Sequence, residues 1–384
     1  MLNMLGVRLT LLIGPTVPIP APAFISQNID KIEVSQSDTE RSGFQVTFKL
    51  GRSGPADLLD YQLLSNPLLK PSNRLIIMVT VNAIPRVIMD GIIENQQFNP
   101  GQEPGSSTVT ITGQDISVML DQKEETVEHP AQNEYIIALK LVAKYARYGL
   151  IPKLIPPFMI DFPLPVERIP VQRDTDLAYL KKMAARFGYV FYIDPGPLPG
   201  TNTAYWGPPI RLGLPKKALT LNMGSMTNVN SLDFQYDSES ASTYHAEVMD
   251  RNLNTSLPVR TFFSTRLPPL AAFPAIPFDF PNIKDTELED IGGLTYAQAF
   301  ARAQAETNKS MDNVLTATGE LDVTRYGDIL EPRALVGVRG AGYAHDGFFY
   351  VKNLTHNISG SGEYKQNFTL TREGKGSTTP VVRV

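Results

Sequence analysis

Cysteine is absent from all 384 residues, and histidine occurs only four times. A chain without cysteine cannot form disulfides, thiolate metal sites or cysteine nucleophiles. Zinc sites depend on Cys and His ligands, and no two of the histidines have the spacing of a metal-binding pair. We therefore expect no metal ion in this protein.

Charge is also scarce, and neither sign is concentrated. Charged residues make up 19% of the chain, against about 25% in typical globular proteins. The 35 basic residues are dispersed, and the formal net charge is −4. Because capture of nucleic acid depends on clustered positive charge, we expect no specific binding of nucleic acid. With 42% hydrophobic residues the chain is too apolar for disorder, and the low charge suggests surface buried against other subunits.

Long hydrophobic runs are missing. A membrane-spanning helix needs about 20 apolar residues in succession, and the sequence has no such stretch. The N-terminus lacks the basic region and the continuous apolar run of a signal peptide. We predict instead a strand at 7–11 that leads into an extended arm, with four prolines in 15–22.

Catalytic motifs are missing as well. The chain contains no G-x-S-x-G elbow, H-E-x-x-H motif, Walker loop or dinucleotide fingerprint, so we expect neither a catalytic residue nor a cofactor. A glycosidase pair of carboxylates stays open, because such a pair converges only in the folded chain. Trp206 could stack on a sugar or anchor a loop, and we favour the loop anchor.

Proline is abundant, and its 31 residues divide the chain. They cluster at 15–22, 152–170, 195–215 and 258–281. Such clusters indicate loops, extended arms or boundaries, because proline fixes φ and removes a backbone donor. Between the first two clusters, apolar and polar residues alternate with the period of half-buried strands. We assign residues 1–118 to a small antiparallel barrel with a proline-rich N-terminal arm.

Residues 119–224 change to a helical period and predict an α/β middle domain. The first helix, at 135–148, has three basic residues on one face and apolar residues on the other. Gly149 follows its last turn and can form a left-handed cap.

A second helix at 175–187 should bury an apolar stripe inside the middle domain. Asp174 is its predicted N-cap, and Gly188 marks its predicted end. The spacing i, i+3, i+7 and i+10 places four side chains on one face. These are Leu177, Leu180, Ala184 and Phe187, while Lys181, Lys182 and Arg186 are predicted to face outward.

Residues 225–384 return to the period of strands and predict a second barrel. Its strands are expected at 230–237, 243–249, 313–324, 334–339, 347–358 and 363–372. A proline-rich and helical insertion at 254–312 interrupts this barrel and is expected to pack on the middle domain. Thr295 and Gln298 form the capping box of its helix at 296–309. The predicted fold class is α+β, mostly β, with two small antiparallel barrels flanking an α/β domain.

The phrase RDTDLAYLKKMAARFGYVFYID at 173–194 resembles the phage late control D family, the central baseplate hubs of contractile tails. That family combines polar and aspartate residues, an apolar helix, Ala-x-x-Gly-Tyr and an aromatic strand. Five further stretches resemble the family in the same chain order, at 91–101, 107–121, 137–150, 318–340 and 350–372. The same fold forms the N-terminal part of VgrG-like spike proteins. The N-terminal arm and 258–281 have no counterpart in the resemblance.

The resemblance implies a structural protein and not an enzyme. It implies a homotrimer whose two barrels per chain form a six-barrel ring, which adapts a hexameric inner tube to a trimeric spike. The implied partners are the inner tube or a tube-initiator protein, a spike protein, other baseplate proteins and the tape-measure protein. The spike is expected to be a separate polypeptide, because the sequence ends at Val384. The implied location is the virion tail baseplate, assembled in the cytoplasm of a bacterial host.

Two alternatives stay open at this point. The chain could be another baseplate component or a receptor-binding tail protein, which its position in the particle would reveal. It could also be a tail-associated peptidoglycan hydrolase, which a zymogram would reveal. The sequence does not single out specific interface residues.

Overall fold

The computed structural model of the chain describes residues 2–4, 6–50, 61–103, 105–158, 165–166, 169–237, 239–250, 255–275, 284–289, 291 and 294–380. Parts of two proline clusters, 159–164 and 276–281, lie outside the described residues. Among the described helices, none is long and apolar enough to cross a membrane.

Strands dominate the structure. The first part contains β1 (Leu2–Met4), β2 (Val7–Gly14), β3 (Ile19–Pro20), β4 (Ile29–Ser37), β5 (Gly43–Leu50), β6 (Arg74–Val81), β7 (Ile84–Asn99) and β8 (Ser107–Asp115). The middle part contains β9 (Val127–Glu128), β10 (Leu150–Leu154), β11 (Val171–Gln172), β12 (Val190–Pro195), β13 (Asn202–Gly207) and β14 (Lys216–Thr220). The last part contains β15 (Ser231–Tyr236), β16 (Ser242–Asp250), β17 (Thr255–Arg260), β18 (Ala271–Pro274), β19 (Lys284–Glu287), β20 (Leu315–Asp322), β21 (Leu335–Arg339), β22 (Gly347–Ser359), β23 (Tyr364–Arg372) and β24 (Gly374–Ser377).

Helices are few and mostly short. They are α1 (Ala23–Gln27), α2 (Glu134–Ala143), α3 (Asp176–Arg186), α4 (Tyr296–Met311) and α5 (Val323–Tyr326). The predicted class, α+β and mostly β, is confirmed.

One sheet of 14 strands contains most of the strands in the first and last parts of the chain. Its order is β1-β2-β6-β7-β8-β5-β4-β22-β23-β20-β15, with β3 on β2 and with β21 and β14 branching from β22. Among the described residues, the pairing does not close either part into a complete ring of hydrogen-bonded strands.

Twelve of the 14 strands form two halves with the same topology, and β1 and β3 are additions at the edge of the first half. In the first half, the neighbours run β4-β5-β8-β7-β6-β2, and in the second they run β15-β20-β23-β22-β21-β14. The corresponding strands follow one another in the same chain order, with one difference, since β2 is antiparallel to β6 whereas β14 is parallel to β21. A β-bulge occurs at the same place in both halves, between Ile93 and Asn95 and between Val351 and Asn353. The chain therefore contains a structural repeat of six strands.

The two halves join where β4 pairs with β22. This antiparallel ladder, which we call the seam, runs from the pair Ser37–Asn353 to the pair Lys31–Ser359. One hydrophobic core continues beneath both halves. Its residue Val34 on β4 is completely buried, so the seam lies over the centre of that core.

The middle part packs α2 and α3 against a small sheet with the order β10-β13-β12. Trp206 on β13 is completely buried, and its indole Nε1 donates to the carbonyl oxygen of Leu180 over 3.3 Å. Trp206 is thus a core residue of a strand. It neither anchors a loop nor offers a face to a sugar.

Helix α3 buries Leu177, Leu180 and Ala184, and Phe187 packs against the same core from a partly buried position just beyond the helix. The buried face is wider than the predicted stripe, because Tyr179 and Met183 are buried too. A helix face broadens in this way when it is covered by a sheet and a second helix together.

The predicted N-cap of α3 is wrong by one residue. Thr175 caps the helix, and its hydroxyl oxygen accepts from the backbone N–H of Ala178 over 3.2 Å. Asp174 lies outside and faces Lys182 at 3.8 Å. The threonine has the extended backbone that a cap needs, and a hydroxyl satisfies the N–H group as well as a carboxylate does.

The two glycines predicted to end helices have positive φ and close neighbours. The helix predicted at 135–148 already ends at Ala143, however, and Gly149 caps a separate 3-10 turn at Ala146–Tyr148. Gly149 has φ of +79°, and a Cβ there would lie 2.0 Å from the carbonyl oxygen of Gly200. Gly188 has φ of +63°, and a Cβ there would lie 3.0 Å from the Cβ of Ala305 on α4. Gly188 therefore lets the insertion approach the middle part closely.

The outward lysines of α3 differ from the prediction in one case. Lys182 is exposed, whereas the Nζ of Lys181 donates to the backbone oxygen of Thr39 over 3.2 Å. Arg186 also has a partner, since its guanidinium lies 3.5 Å from Glu134.

The strand predicted at 243–249 lies in a separate sheet and not in the second barrel. It corresponds to β16, the centre of the sheet β17-β16-β19. Its residues Ala246 and Val248 pack with Ala299 and Ala303 of α4 in a small core of their own. The insertion therefore begins directly after β15. Its helix does start with the predicted capping box of Thr295 and Gln298.

Replacing Leu180 tests the packing of α3. Burial of a leucine contributes about 1.5–3 kcal/mol, and Leu180→Asp would add an unpaired buried charge. Against a typical total of about 5–15 kcal/mol, this change should unfold the middle part. Lys182→Ala is the matched exposed change and should alter stability by less than about 1 kcal/mol. Thermal melting of both variants is the measurement, and an unchanged melting point for Leu180→Asp would contradict the packing.

Candidate functional site

Eight strands of the main sheet, in the order β15-β20-β23-β22-β4-β5-β8-β7, share one polar surface. Successive side chains of a strand point to opposite sides, and here one side enters the core while the other faces away from it. The outward side chains, which we call the polar face, are Ser231, Asp233, Gln235, Thr316, Thr318, Glu320, Asp322, Lys365, Asn367, Thr369, Asn353, Thr355, Asn357, Ser359, Lys31, Glu33, Ser35, Gln45, Thr47, Lys49, Thr108, Thr110, Thr112, Gln114, Asn95, Gln97 and Asn99. Not one of them is apolar, so this face is suited to water and not to a hydrophobic partner.

The three lysines of the polar face all have carboxylate neighbours. Lys31 lies 2.9 Å from Glu33, and Lys49 lies 2.9 Å from Asp30. Lys365 lies 2.7 Å from Glu363, and this hydrogen bond raises the pKa of the lysine. Nucleic acid is held when free cations replace its counterions. With its lysines paired, the polar face offers a polyanion little attraction.

A buried histidine network lies under the seam. His356 on β22 is almost completely buried, with its Nδ1 2.7 Å from the hydroxyl of Tyr364 and its Nε2 3.1 Å from Gln36 Oε1. The amide nitrogen of Gln36 donates to the backbone oxygen of Ile88, so its oxygen is turned to the ring and accepts from Nε2–H. The amide nitrogen of Gln366 can only donate and lies 3.3 Å from Nδ1, so Nδ1 accepts and the ring is neutral. Burial lowers the pKa of His356 to about 3.

Arg333 connects the two halves with the middle part. Its side chain is only 2% exposed, and its Nη2 donates to the backbone oxygen of Ser37 over 2.6 Å and to Ser42 Oγ over 3.1 Å. It also forms an ion pair with Asp194 and lies over the ring of Tyr192 at 4.1 Å. One guanidinium thus holds the end of β4 against β12.

Arg74 and Asp90 connect the first half with the middle part. Their side chains are buried and paired through two hydrogen bonds of 2.7 and 2.6 Å. Asn202 donates to the same aspartate over 2.9 Å. The Nη2 of Arg74 also reaches the backbone oxygens of Tyr148 at 3.0 Å and Gly200 at 3.2 Å. Every group of this pair therefore has partners on the middle part.

Asp312 at the end of α4 holds the insertion. It pairs with Arg211 at 2.5 Å and with Arg266 at 2.7 Å. Arg211 also lies 2.9 Å from Glu373 of the second half. Arg266 donates to the backbone oxygen of Gly188 over 3.2 Å. We call the sites around Arg333, Arg74 and Asp312 the three arginine junctions, since each joins different parts of the chain.

A cavity of about 240 Å³ lies beside the junction around Asp312, and its lining includes Asp38, Glu306 and Asp312. Burial raises the pKa of Asp38. Asp312 is engaged by two arginines. Within the described part of the chain, no group of three or more His, Asp or Glu side chains could hold a metal ion. Asp312 therefore serves as an anchor that holds Arg211 and Arg266 together.

The residues singled out in the sequence do not belong to the polar face. Leu177, Leu180, Ala184 and Phe187 pack inside the middle part, and the residues at the helix ends serve local geometry. Sequence reasoning missed the arginine junctions. The sequence feature that could have revealed them is a charged residue beside an apolar strand segment, as at Arg74 before LIIMV and Asp90 after VIM.

No protein-family model matches the sequence, and no curated protein matches it. Solved structures do match. A tail protein from Neisseria meningitidis MC58 has a TM-score of 0.64 at 14% identity, over 96% of this chain and 97% of the other. A 43 kDa tail protein of prophage MuSo2 from Shewanella oneidensis has a TM-score of 0.64 at 12% identity, over 96% of this chain and 98% of the other.

A third match is the E. coli c3393 protein, a component of the type VI secretion system with structural similarity to the T4 bacteriophage tail proteins gp27 and gp5. Its TM-score is 0.55 at 10% identity, over 93% of this chain and 77% of the other. This chain has a phage-tail-protein fold. The tail-protein fold covers both sheet halves, the middle part and the insertion, because the matches extend over almost the whole chain.

Acid should weaken the seam through His356. The unfolded chain takes up a proton near pH 6.5, whereas the folded protein does so only near pH 3. Stability is therefore lost as the pH falls through this window, by up to about 1.4 kcal/mol per pH unit. Burial also lowers the pKa of His129 and His345, which adds in the same direction.

The variant His356→Gln isolates that contribution. It should be less stable than the parent protein at pH 7, because the network is altered, yet its stability should fall less steeply between pH 6 and pH 4. Urea unfolding across this range is the measurement. Parallel curves for the two proteins would show that His356 does not titrate as described.

Removal of Arg333 tests the arginine junctions. Arg333→Met leaves the buried backbone oxygen of Ser37 without its donor, and an unsatisfied buried acceptor typically costs about 1–3 kcal/mol. Asp194 also loses its cation, but its side chain is 42% exposed, so this second loss adds little. Arg339→Met is the matched exposed change and should stay within about 0.5 kcal/mol. Urea midpoints report both values, and equal midpoints would refute a supporting role for Arg333.

Proposed function

We propose that the protein is the central hub of a contractile-tail baseplate, or of a phage-derived injection system, as in the late control D family. In this role it forms a homotrimer that adapts a hexameric inner tube to a trimeric spike. The observation that carries the proposal is the repeat of six strands within one chain. Three copies supply six equivalent halves. This number matches the six subunits in one ring of a six-fold tube.

The polar face gives this ring a defined interior. In the proposed trimer, the polar faces of three copies line the axial channel, because a surface whose lysines are paired attracts a polyanion little and a surface without apolar groups offers no hydrophobic patch to a protein. The arginine junctions keep the two halves, the middle part and the insertion in fixed relation. The hub therefore acts by geometry, without catalysis.

The proposed partners follow from the two ends of such a ring. The inner tube or a tube-initiator protein would bind one end, and a separate spike protein would bind the other. Other baseplate proteins and the tape-measure protein complete the proposed set, and the proposed location is the tail baseplate of a virion. We also propose the division into a first barrel at 1–118, a middle domain at 119–224 and a second barrel at 225–384, which the insertion interrupts after β15 and which β14 joins from the preceding segment. The tail-protein fold supports these assignments.

The number and position of the copies test the proposal. We expect an axial cryo-EM reconstruction of the tail particle to show three copies of this chain around the axis, between the tube and the spike. Three copies also predict a native mass of three chains for the released ring. Six or twelve copies, or a position at the periphery of the baseplate, would contradict the hub role.

A further inference from the structure

The strongest feature beyond the proposed ring is an unfinished strand ladder at each side of the polar face. We infer that β15 of one copy pairs, antiparallel, with residues 95–99 of β7 in the next copy. The joint between copies then repeats the seam that β4 and β22 form within each copy. This inference rests on the proposed ring and specifies how its subunits meet.

The topological repeat identifies the equivalent strands. β15 occupies in the second half the place that β4 occupies in the first, and β7 occupies the place of β22. On the side away from β23, the N-terminal part of β22 pairs with β21 and its C-terminal part pairs with β4. On the side away from β8, the N-terminal part of β7 pairs with β6. The C-terminal part of β7 has no strand there among the described residues.

The exposure of both edges fits a missing neighbour. Val34 on β4, next to β22, is 0% exposed. Its equivalent on β15 is Phe234, which is only half-buried although it belongs to the same core. On β7, Phe98 is equivalent to the buried His356, yet its side chain is 36% exposed. Both phenylalanines would be covered if β15 and β7 of neighbouring copies paired.

The two bulges set the register of the proposed joint. Because Asn95 and Asn353 each follow the bulge of their strand, Gln97 is equivalent to Thr355. β15 pairs with β20 as β4 pairs with β5, and the registers of these two ladders make Gln235 equivalent to Ser35. Thr355 pairs with Ser35 in the seam. We therefore place Gln235 opposite Gln97 of the next copy, and Phe234 opposite Phe98 of the next copy.

Strand direction and symmetry agree with this pairing. The strands from β7 to β15 alternate in direction across the whole polar face, so β15 meets β7 of the next copy antiparallel, as in the seam. The two edges are different surfaces, and such a head-to-tail contact gives a ring or an open filament and not a two-fold dimer. The ring of the proposed function is the closed case. An exposed strand edge is itself a template for another strand. The occupant that fits is a second copy of this chain.

The absence of cysteine allows a direct test. The double variant Gln97→Cys with Gln235→Cys places two thiols opposite each other across the joint, about 4.5–5.5 Å apart at Cα, within the range of a disulfide. Oxidation of assembled particles should yield covalent rings of three chains on a non-reducing gel. Each single variant should stay unlinked, because the two positions meet only head to tail. Thr47→Cys with Thr318→Cys, inside the polar face, is the matched control and should not link.

A second variant measures how much the phenyl ring of Phe98 contributes to the contact between copies. Phe98→Glu should weaken self-association at least about tenfold, because central aromatic contacts dominate interfaces. Phe263→Glu alters another exposed phenylalanine and should leave self-association unchanged. Circular dichroism shows whether both variants are folded.

The outcomes separate this inference from the proposed function. Particles with three axial copies but no covalent link between the paired cysteines would overturn the joint and leave the hub role standing. Covalent dimers from either single variant would also overturn it, since they require a two-fold contact. Particles without a ring of this chain would overturn the proposed function itself.

Discussion

The ladder between β4 and β22 is the contact on which the rest of the structure depends. It joins two six-stranded halves into one sheet and lets a single hydrophobic core continue beneath both. The network of His356, Tyr364 and Gln36 lies directly under this ladder, with its polar groups turned toward one another. Loss of the seam would expose the core between the halves, so stability and overall shape depend on the same strands.

Buried charge fixes the other parts relative to this seam. The arginine junctions bury the side chains of Arg74, Asp90 and Arg333, which costs free energy unless each charge is paired and hydrogen-bonded. Here the guanidinium groups also reach backbone oxygens on neighbouring parts. Such directional contacts tolerate little displacement. The proposed hub, which would join two rings of different symmetry, needs this rigidity.

The polar face and the fold are two independent observations that support the hub proposal. The face is uncharged for the most part and contains no apolar group, and this composition suits a water-filled passage better than a docking surface. The similarity to tail proteins from Neisseria meningitidis and Shewanella oneidensis extends over nearly the whole chain. The hub proposal unites both observations, because a ring built from repeated halves needs a common inner surface.

The sequence alone determined the features that depend on neighbouring residues. The stripe of Leu177, Leu180 and Ala184, the capping box of Thr295 and the mostly β class follow from spacings of a few positions. Tertiary structure decided which strands pair. The seam joins residues 31–37 to 353–359. The strand predicted at 243–249 as part of the second barrel lies in a separate sheet. Strands of similar alternation carry no signal of their partner, since backbone hydrogen bonds are the same for every residue and the partner is selected only when distant surfaces meet.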